Sequence, residues 1–343
     1  MWNVVFSLSR VLATVMLASL LAVPAFAGEP SGGQGGKSSW PTHLRMLTGP
    51  NGGQWFMLGE PIAEVLTSNV VITNSRMGGG VANIGAVNAK SGDLGFTLAC
   101  FMGAAQSGEA EYQSIKMDNA VLMANIYPQV LYFLIRKDVA DKHGITSVDE
   151  LLAKKIPLRF ASLRPGTASE FILSLLLKYG YNTDFDALRA QGWTVSFNNY
   201  AETADNFVSG ELDCFAYTAG TDVPLIKTME EHTELIVLPL NQKVLDMLAE
   251  KFKTGTYVIE PGDYKSVTRP IATLGDYTSI VIRKDFPDDF VYAVNKALWE
   301  NRQNLADVIS DFGGLSPATA LPQGLPTHPG SVKFWNELSG QKK

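Results

Sequence analysis

The sequence is poor in the residues that mark several large classes of protein. Two cysteines in 343 residues, Cys100 and Cys214, cannot build a disulfide scaffold or a cysteine-rich zinc module. Four histidines, His43, His143, His232 and His328, are scattered without metal-ligand spacing. Lys and Arg number 28 against 34 Asp and Glu, a formal net charge of −6 with no basic cluster, so neither nucleic acid nor an anionic membrane surface is expected as a partner. Charged residues make up only 18% while 46% are hydrophobic, which excludes a disordered chain. Neither a G-x-S-x-G elbow nor a Cys/His nucleophile signature occurs, and no catalytic residue, metal ligand or cofactor is expected.

What the chain has is the length and apolar content for about two domains with an ample core. Its one long apolar run lies at the N-terminus. Arg10 precedes residues 11–23, interrupted by little except Thr14 and Ser19, and Pro24-Ala25-Phe26-Ala27 supplies a small-x-small cleavage pattern. The run falls short of the roughly 20 apolar residues of a spanning helix and reads as a secretory signal cut after Ala27. The mature chain would keep 343 − 27 = 316 residues at net charge −7, since Arg10 is the only charge lost. No cysteine follows the cut to carry a lipid, so a free periplasmic protein is expected. Residues 28–40 (GEPSGGQGGKSSW) read as a flexible leader. Gly35-Gly36-Lys37-Ser38 fails as a phosphate loop, because position 31 is Ser31 and no strand precedes it.

From Leu44 onward, short apolar runs alternate with amphipathic helical stretches, which predicts an α/β fold with a parallel sheet. Strands are expected at 44–47, 70–73, 94–98, 121–126, 131–136, 158–162, 194–197, 214–217, 235–238 and 277–283. Phe171, Ile172, Leu175, Leu176 and Tyr179 form one helical stripe, and Phe290, Val291, Val294 and Leu298 another, followed by Leu305, Val308 and Ile309. One echo stands out: Leu134-Ile135-Arg136-Lys137-Asp138 is answered by Val281-Ile282-Arg283-Lys284-Asp285. If the chain leaves one lobe along the first and returns along the second, the lobes are 41–135 with 275–343, and 136–274. Chance repetition of a common strand ending is the competing account.

Three strand-to-helix junctions share a design: residues 48–56 (TGPNGGQWF), 75–83 (SRMGGGVAN) and 164–170 (RPGTASE). Glycine lets backbone approach a ligand closely, and the helix start that follows offers unpaired N–H groups suited to an anion. In open α/β sheets such loops lie at the C-terminal strand ends, where ligands bind. Singly each also fits a packing role. Together, two in one expected lobe and one in the other, they point to a cleft that closes on a small anion. Pro61 should kink or shorten the helix after the first junction.

The chain resembles the TAXI family of extracytoplasmic solute receptors, which serve TRAP-type secondary transporters. The resemblance rests on residues 48–66, 77–99, 164–181 and 200–226, with PGDY at 261–264 and THPGSVKFW at 327–335. It implies a two-lobed type II periplasmic-binding-protein fold, no catalysis, a small organic-acid or amino-acid ligand, and the membrane subunits of a TRAP-type transporter as partner. Carried over by position, Gly49, Asn51, Gly52 and Gly53 would face the ligand, with Trp55 and Phe56 where the family has tyrosines. Gly79 and Gly80 fall at the family's Gly-Ser, and Met77 at its Thr. Thr167 and Ser169 match the turn of the second lobe, altered by Arg164 and Gly166, while Tyr217, Ala219 and Gly220 match the turn after its later strand. The missing hydroxyls at 55, 56, 77 and 80 imply a less polar acid, aromatic or larger, on which Trp55 would stack. Arg76 and Arg164 are the loop arginines that could pair with a carboxylate. Of Tyr127 and Gln129, at the end of the fourth strand, Tyr127 is the favoured ligand contact. Cys100 and Cys214 are expected as separate buried thiols, and His328 as the organiser of a C-terminal turn. The readings that compete with transport are a receptor for a signalling partner and an enzyme on the same fold.

Overall fold

The computed structural model describes residues 40–106, 108 and 116–340. The expected signal, and the expected leader up to residue 39, lie outside them. Trp40, the leader's last residue, donates Nε1–H to Asp289 Oδ2 at 3.0 Å and meets Phe290 edge-on.

Ten strands alternate with helices among the described residues. They are β1 (His43–Leu47), β2 (Ile72–Arg76), β3 (Leu94–Leu98), β4 (Ala120–Arg136), β5 (Arg159–Leu163), β6 (Thr194–Asn198), β7 (Cys214–Ala219), β8 (Leu235–Val237), β9 (Gly255–Ile259) and β10 (Ile271–Arg283). All join one sheet in the order β2-β1-β3-β10-β4-β7-β5-β6, with β8 on β4 and β9 on β10. The pairs β1–β2, β1–β3, β5–β6 and β5–β7 are parallel, and β10 and β4 enter antiparallel. Helices cover both faces, so the central strand β3 is buried at every residue.

Two long strands organise the sheet. Residues 120–130 of β4 pair with β10, and from Val130 onward β4 pairs with β7. Likewise β10 lies beside β9 up to Gly275 and beside β3 from Thr278. One half therefore reads β2-β1-β3-β10-β4 and the other β6-β5-β7-β4-β8, the same arrangement built twice. A matching ion pair sits at the same place in each. Arg45 in the middle of β1 donates Nε–H to Asp93 Oδ2 at 2.8 Å, and Arg159 at the start of β5 donates to Asp213 through both its backbone N–H and its guanidinium. The echoed pentapeptides end β10 and β4: Arg283 N–H donates to the Asp93 carbonyl at 3.1 Å, and Arg136 N–H to that of Asp213 at 3.0 Å.

Three sequence expectations change here. The strands expected at 121–126 and 131–136 are one, because Pro128, which looks like a break, stands opposite Tyr277 just before β7 joins, so its missing N–H costs no bond on that edge. Strand β9 has no counterpart in the expected list; its burial pattern is mostly exposed, so no apolar run marks it. The helix after the first junction runs from Gln54 to Asn69, eight residues past Pro61, held by its buried stripe of Leu58, Ile62 and Leu66. Both helical stripes are buried as expected, except that Tyr179 is half-buried and Val308 exposed. The whole is an α/β architecture on one mixed sheet, its two halves joined through β4 and β10.

Candidate functional site

The first junction leaves β1 with Thr48 N–H on the Arg76 carbonyl at 2.8 Å. Gly52 then takes φ +83°, a left-handed turn that favours glycine. The Gln54–Asn69 helix begins at Gly53 with no side-chain cap and no acidic residue in its first turn, so its leading N–H groups are left for another acceptor. Asn83 ties this loop to the second junction: its Oδ1 accepts from Gly79 N–H at 3.1 Å, and its Nδ2 donates to the carbonyls of Thr48 and Phe96 at 2.9 and 2.8 Å. From the other half comes the Arg164–Thr167 turn, with Gly166 at φ +85° and Thr167 capping the Ala168–Leu175 helix through Glu170 N–H.

These loops meet. A Cβ on Gly79 would stand 2.7 Å from the Gly166 carbonyl oxygen, and one on Gly53 would stand 2.8 Å from Tyr200 Cε2. Only hydrogen fits at either place, so glycine is what lets the two halves lie this close. Between them lies a cavity of about 310 Å³. One wall is Gly49, Pro50 and residues 52–55 with Met57, Gln129 of β4 and Ile309; the other is Thr167, Ala168, Tyr200, the 217–219 end of β7 and the start of the Pro224–His232 helix. None of these residues carries a charge, and none is a carboxylic acid, histidine or cysteine.

Fully buried Thr278, outside the lining, joins two of the lining side chains. Its Oγ1 accepts from Trp55 Nε1–H at 2.9 Å and from Gln129 Nε2–H at 2.8 Å. Gln129 Oε1 and the Tyr217 hydroxyl are buried with no hydrogen-bond partner. Tyr200 donates its hydroxyl to the Thr218 carbonyl at 3.3 Å, and burial pushes its pKa up to about 12. Burial likewise raises the Tyr217 hydroxyl, so both phenols are neutral at ordinary pH.

A second set of bonds crosses between the halves beside the cavity. Gln54 Oε1 accepts from Gly220 N–H at 2.7 Å, while its Nε2 donates to Asp311 Oδ2 at 3.0 Å. Asp311 also accepts from the N–H of Thr221 at 2.9 Å and from its hydroxyl. Ser310 donates to Asp222 at 3.0 Å.

Of the residues singled out in sequence, Gly49, Gly52, Gly53, Trp55, Thr167 and Tyr217 line the cavity. Gly79 and Gly80 lie just behind it, Gly80 against Trp55 and Ala168. Ser169 is turned to Thr218, accepting its N–H at 2.9 Å, and Gly220 belongs to the bonds around Asp311. Asn51, Arg76 and Arg164 are exposed and outside the lining. Tyr127 is fully buried behind it, and its neighbour Gln129 takes the lining place. The Trp55 ring is stacked on Phe96, 5.6 Å between centroids, so one of its faces is already filled. Cys100 and Cys214 are free and buried. His328 caps the Pro329–Leu338 helix, accepting Gly330 N–H at Nδ1. Tyr200 begins a helix after β6, the same kind of junction as the other three, and it opens the 200–226 stretch of the resemblance, though it was not singled out as a ligand contact. Gln54 lies inside the first junction and Ile309 ends a helical stripe, but neither was singled out as a ligand contact, and nothing in the sequence marked Asp311.

A family model spans residues 46–338 of the chain. The chain belongs to the NMT1-like family. Among solved structures this NMT1-like protein is similar to the periplasmic binding protein BugD, at 14% identity and TM-score 0.49, over 88% of this chain and 95% of that one. It is similar as well to MatC from Rhodopseudomonas palustris with bound malate, at 15% identity and TM-score 0.48, over 88% and 97%. A third is a TctC solute binding protein from Polaromonas, at 14% and 0.46, over 89% and 100%.

Proposed function

We propose that this NMT1-like protein is an extracytoplasmic solute-binding protein of the TAXI type, exported by residues 1–27 to the periplasm. It captures a small organic carboxylate and delivers it to the membrane subunits of a TRAP-type transporter. One observation carries the reading: a cavity of about 310 Å³ is walled by glycine junctions from both halves, one of them opening an uncapped helix N-terminus. That is a place for an anion held by backbone N–H groups and by the positive end of a helix dipole. A lining without carboxylic acid, histidine or cysteine lacks the usual acids, bases and nucleophiles, which favours binding over catalysis. The proposed lobes are 41–135 with 275–343, and 136–274, joined through β4 and β10, whose partners change near Val130 and Gly275. Closure by rotation about these two crossings would enclose the ligand.

Calorimetric titration of the mature protein with a panel of monocarboxylates, dicarboxylates and amino acids tests this. Saturable binding of a member, with a matching rise in melting temperature, is expected. Silence across the whole panel overturns it.

A further inference from the structure

We infer that the ligand is a monocarboxylate carrying a neutral hydrogen-bond donor, such as a hydroxyl, next to an apolar group, and that α-amino acids are rejected for their ammonium. The inference rests on the carboxylate reading of the cavity and narrows it. Its anchor is Gln129. The Thr278 hydroxyl oxygen has two lone pairs, and Trp55 Nε1–H and Gln129 Nε2–H occupy both. With Nε2 donating to Thr278, the acceptor end of the Gln129 amide is turned away from it. That oxygen is buried, belongs to a residue of the cavity wall and has no partner. Buried acceptors in native proteins are nearly always satisfied, so the missing donor is one the ligand brings. The Tyr217 hydroxyl, equally buried and unpartnered in the same wall, can answer either a donor or an acceptor.

Charge decides what kind of donor. An ammonium entering the cavity loses its hydration and needs a carboxylate, but the lining contains none. Asp311, beside the cavity, already accepts from Gln54 and from Thr221. A second carboxylate on the ligand would meet the opposite lack, since no Lys, Arg or His lines the cavity. A hydroxyl satisfies Gln129 at no such cost. The remaining surface is apolar, from Trp55, Met57, Val223, Leu225 and Ile309.

Two matched trios test this by calorimetry: 2-hydroxy-4-methylpentanoate, leucine and 4-methylpentanoate; and 3-phenyllactate, phenylalanine and 3-phenylpropanoate. In at least one trio the hydroxy acid should bind about tenfold or more tighter than both analogues. Gln129→Leu, with its melting temperature recorded to check folding, should bind the hydroxy acid no more tightly than the deoxy acid. Gln129→Glu places a carboxylate at that position and should raise affinity for the amino acid of the trio. Equal or tighter binding of the amino acid to the wild type overturns the inference, as does a hydroxyl preference that survives in Gln129→Leu. Those results leave the carboxylate-binding function standing. If no member of either trio binds, the inference fails, and the wider panel then decides separately whether carboxylate binding fails with it.

Discussion

At the scale of single residues, the site depends on places where only hydrogen or only one amide fits. Gly53 is the first kind: its Cβ position falls 2.8 Å from Tyr200 Cε2 and 3.3 Å from the Pro50 carbonyl oxygen. Its backbone is extended, with φ −93°, so valine meets no conformational strain and the effect is steric. Gly53→Val should hold the halves apart and weaken binding a hundredfold or more, with a melting temperature near the wild type. Calorimetry and thermal scanning together check it, and unaltered affinity would move the ligand out of this cavity. Asn83 is the second kind. Fully buried, it satisfies one N–H and two carbonyl groups that have no water to turn to. Orphaning such groups costs about 1–3 kcal/mol each, so Asn83→Ala should destabilise the protein by roughly 3 kcal/mol or more. Urea unfolding would show this as a lower midpoint.

At the scale of elements, the turn Gly220–Asp222 and the short helix Ser310–Gly314 come from different halves and are joined by Asp311. Here a carboxylate accepts backbone and side-chain donors across the cleft, bonds that opening must break. Asp311→Ala leaves Thr221 N–H and Gln54 Nε2 without that acceptor. The closed state should lose population and apparent affinity should fall about tenfold, since affinity scales with the fraction in the competent state. Small-angle scattering of the ligand-free variant should give a larger radius of gyration than the wild type; identical curves would remove Asp311 from the closure.

At the scale of the whole molecule, two kinds of buried acid set opposite pH trends. Asp276, on β10, accepts Cys100 N–H at 2.9 Å, and burial raises its pKa from 3.8 to about 6. A folded-state pKa above the unfolded one means that the native state binds the extra proton. Stability should therefore fall as pH rises from about 4 to 6, by about 3 kcal/mol at 1.36 kcal/mol per unit. Asp93 behaves the other way. Burial opposes its charge, but hydrogen bonds from Arg45 and Arg283 outweigh it and lower its pKa, so its contribution is present above the ordinary carboxylate range and is lost as pH drops through that lowered value. Asp285, held down first by Arg283, adds to that acid loss. Melting temperature against pH should then peak on the acid side, near pH 4–5. Asp276→Asn, whose amide oxygen still accepts from Cys100, should flatten the decline between pH 4 and 6. A variant with the same slope as the wild type would assign the trend elsewhere.

The alternation of apolar runs with helical stripes was enough to define an α/β chain, and most strands lie within two or three residues of where composition places them. Glycine junctions were legible as well, because close backbone approach restricts a position to one residue type wherever its partner comes from. What sequence could not contain was the partner. Tyr127 and Gln129 share one face of a strand, and only the third dimension buries the first behind the wall and brings the second to it. Pro128 looked like an ending until β7 was seen to join beyond it. Asp311 is an ordinary surface-like aspartate until the chain, 90 residues after Thr221, folds back to meet that turn. Local patterns record which face of an element is buried, and they depend on neighbours in sequence. A binding cavity is made between elements distant in sequence, so its polar groups and its lack of charge are decided by packing.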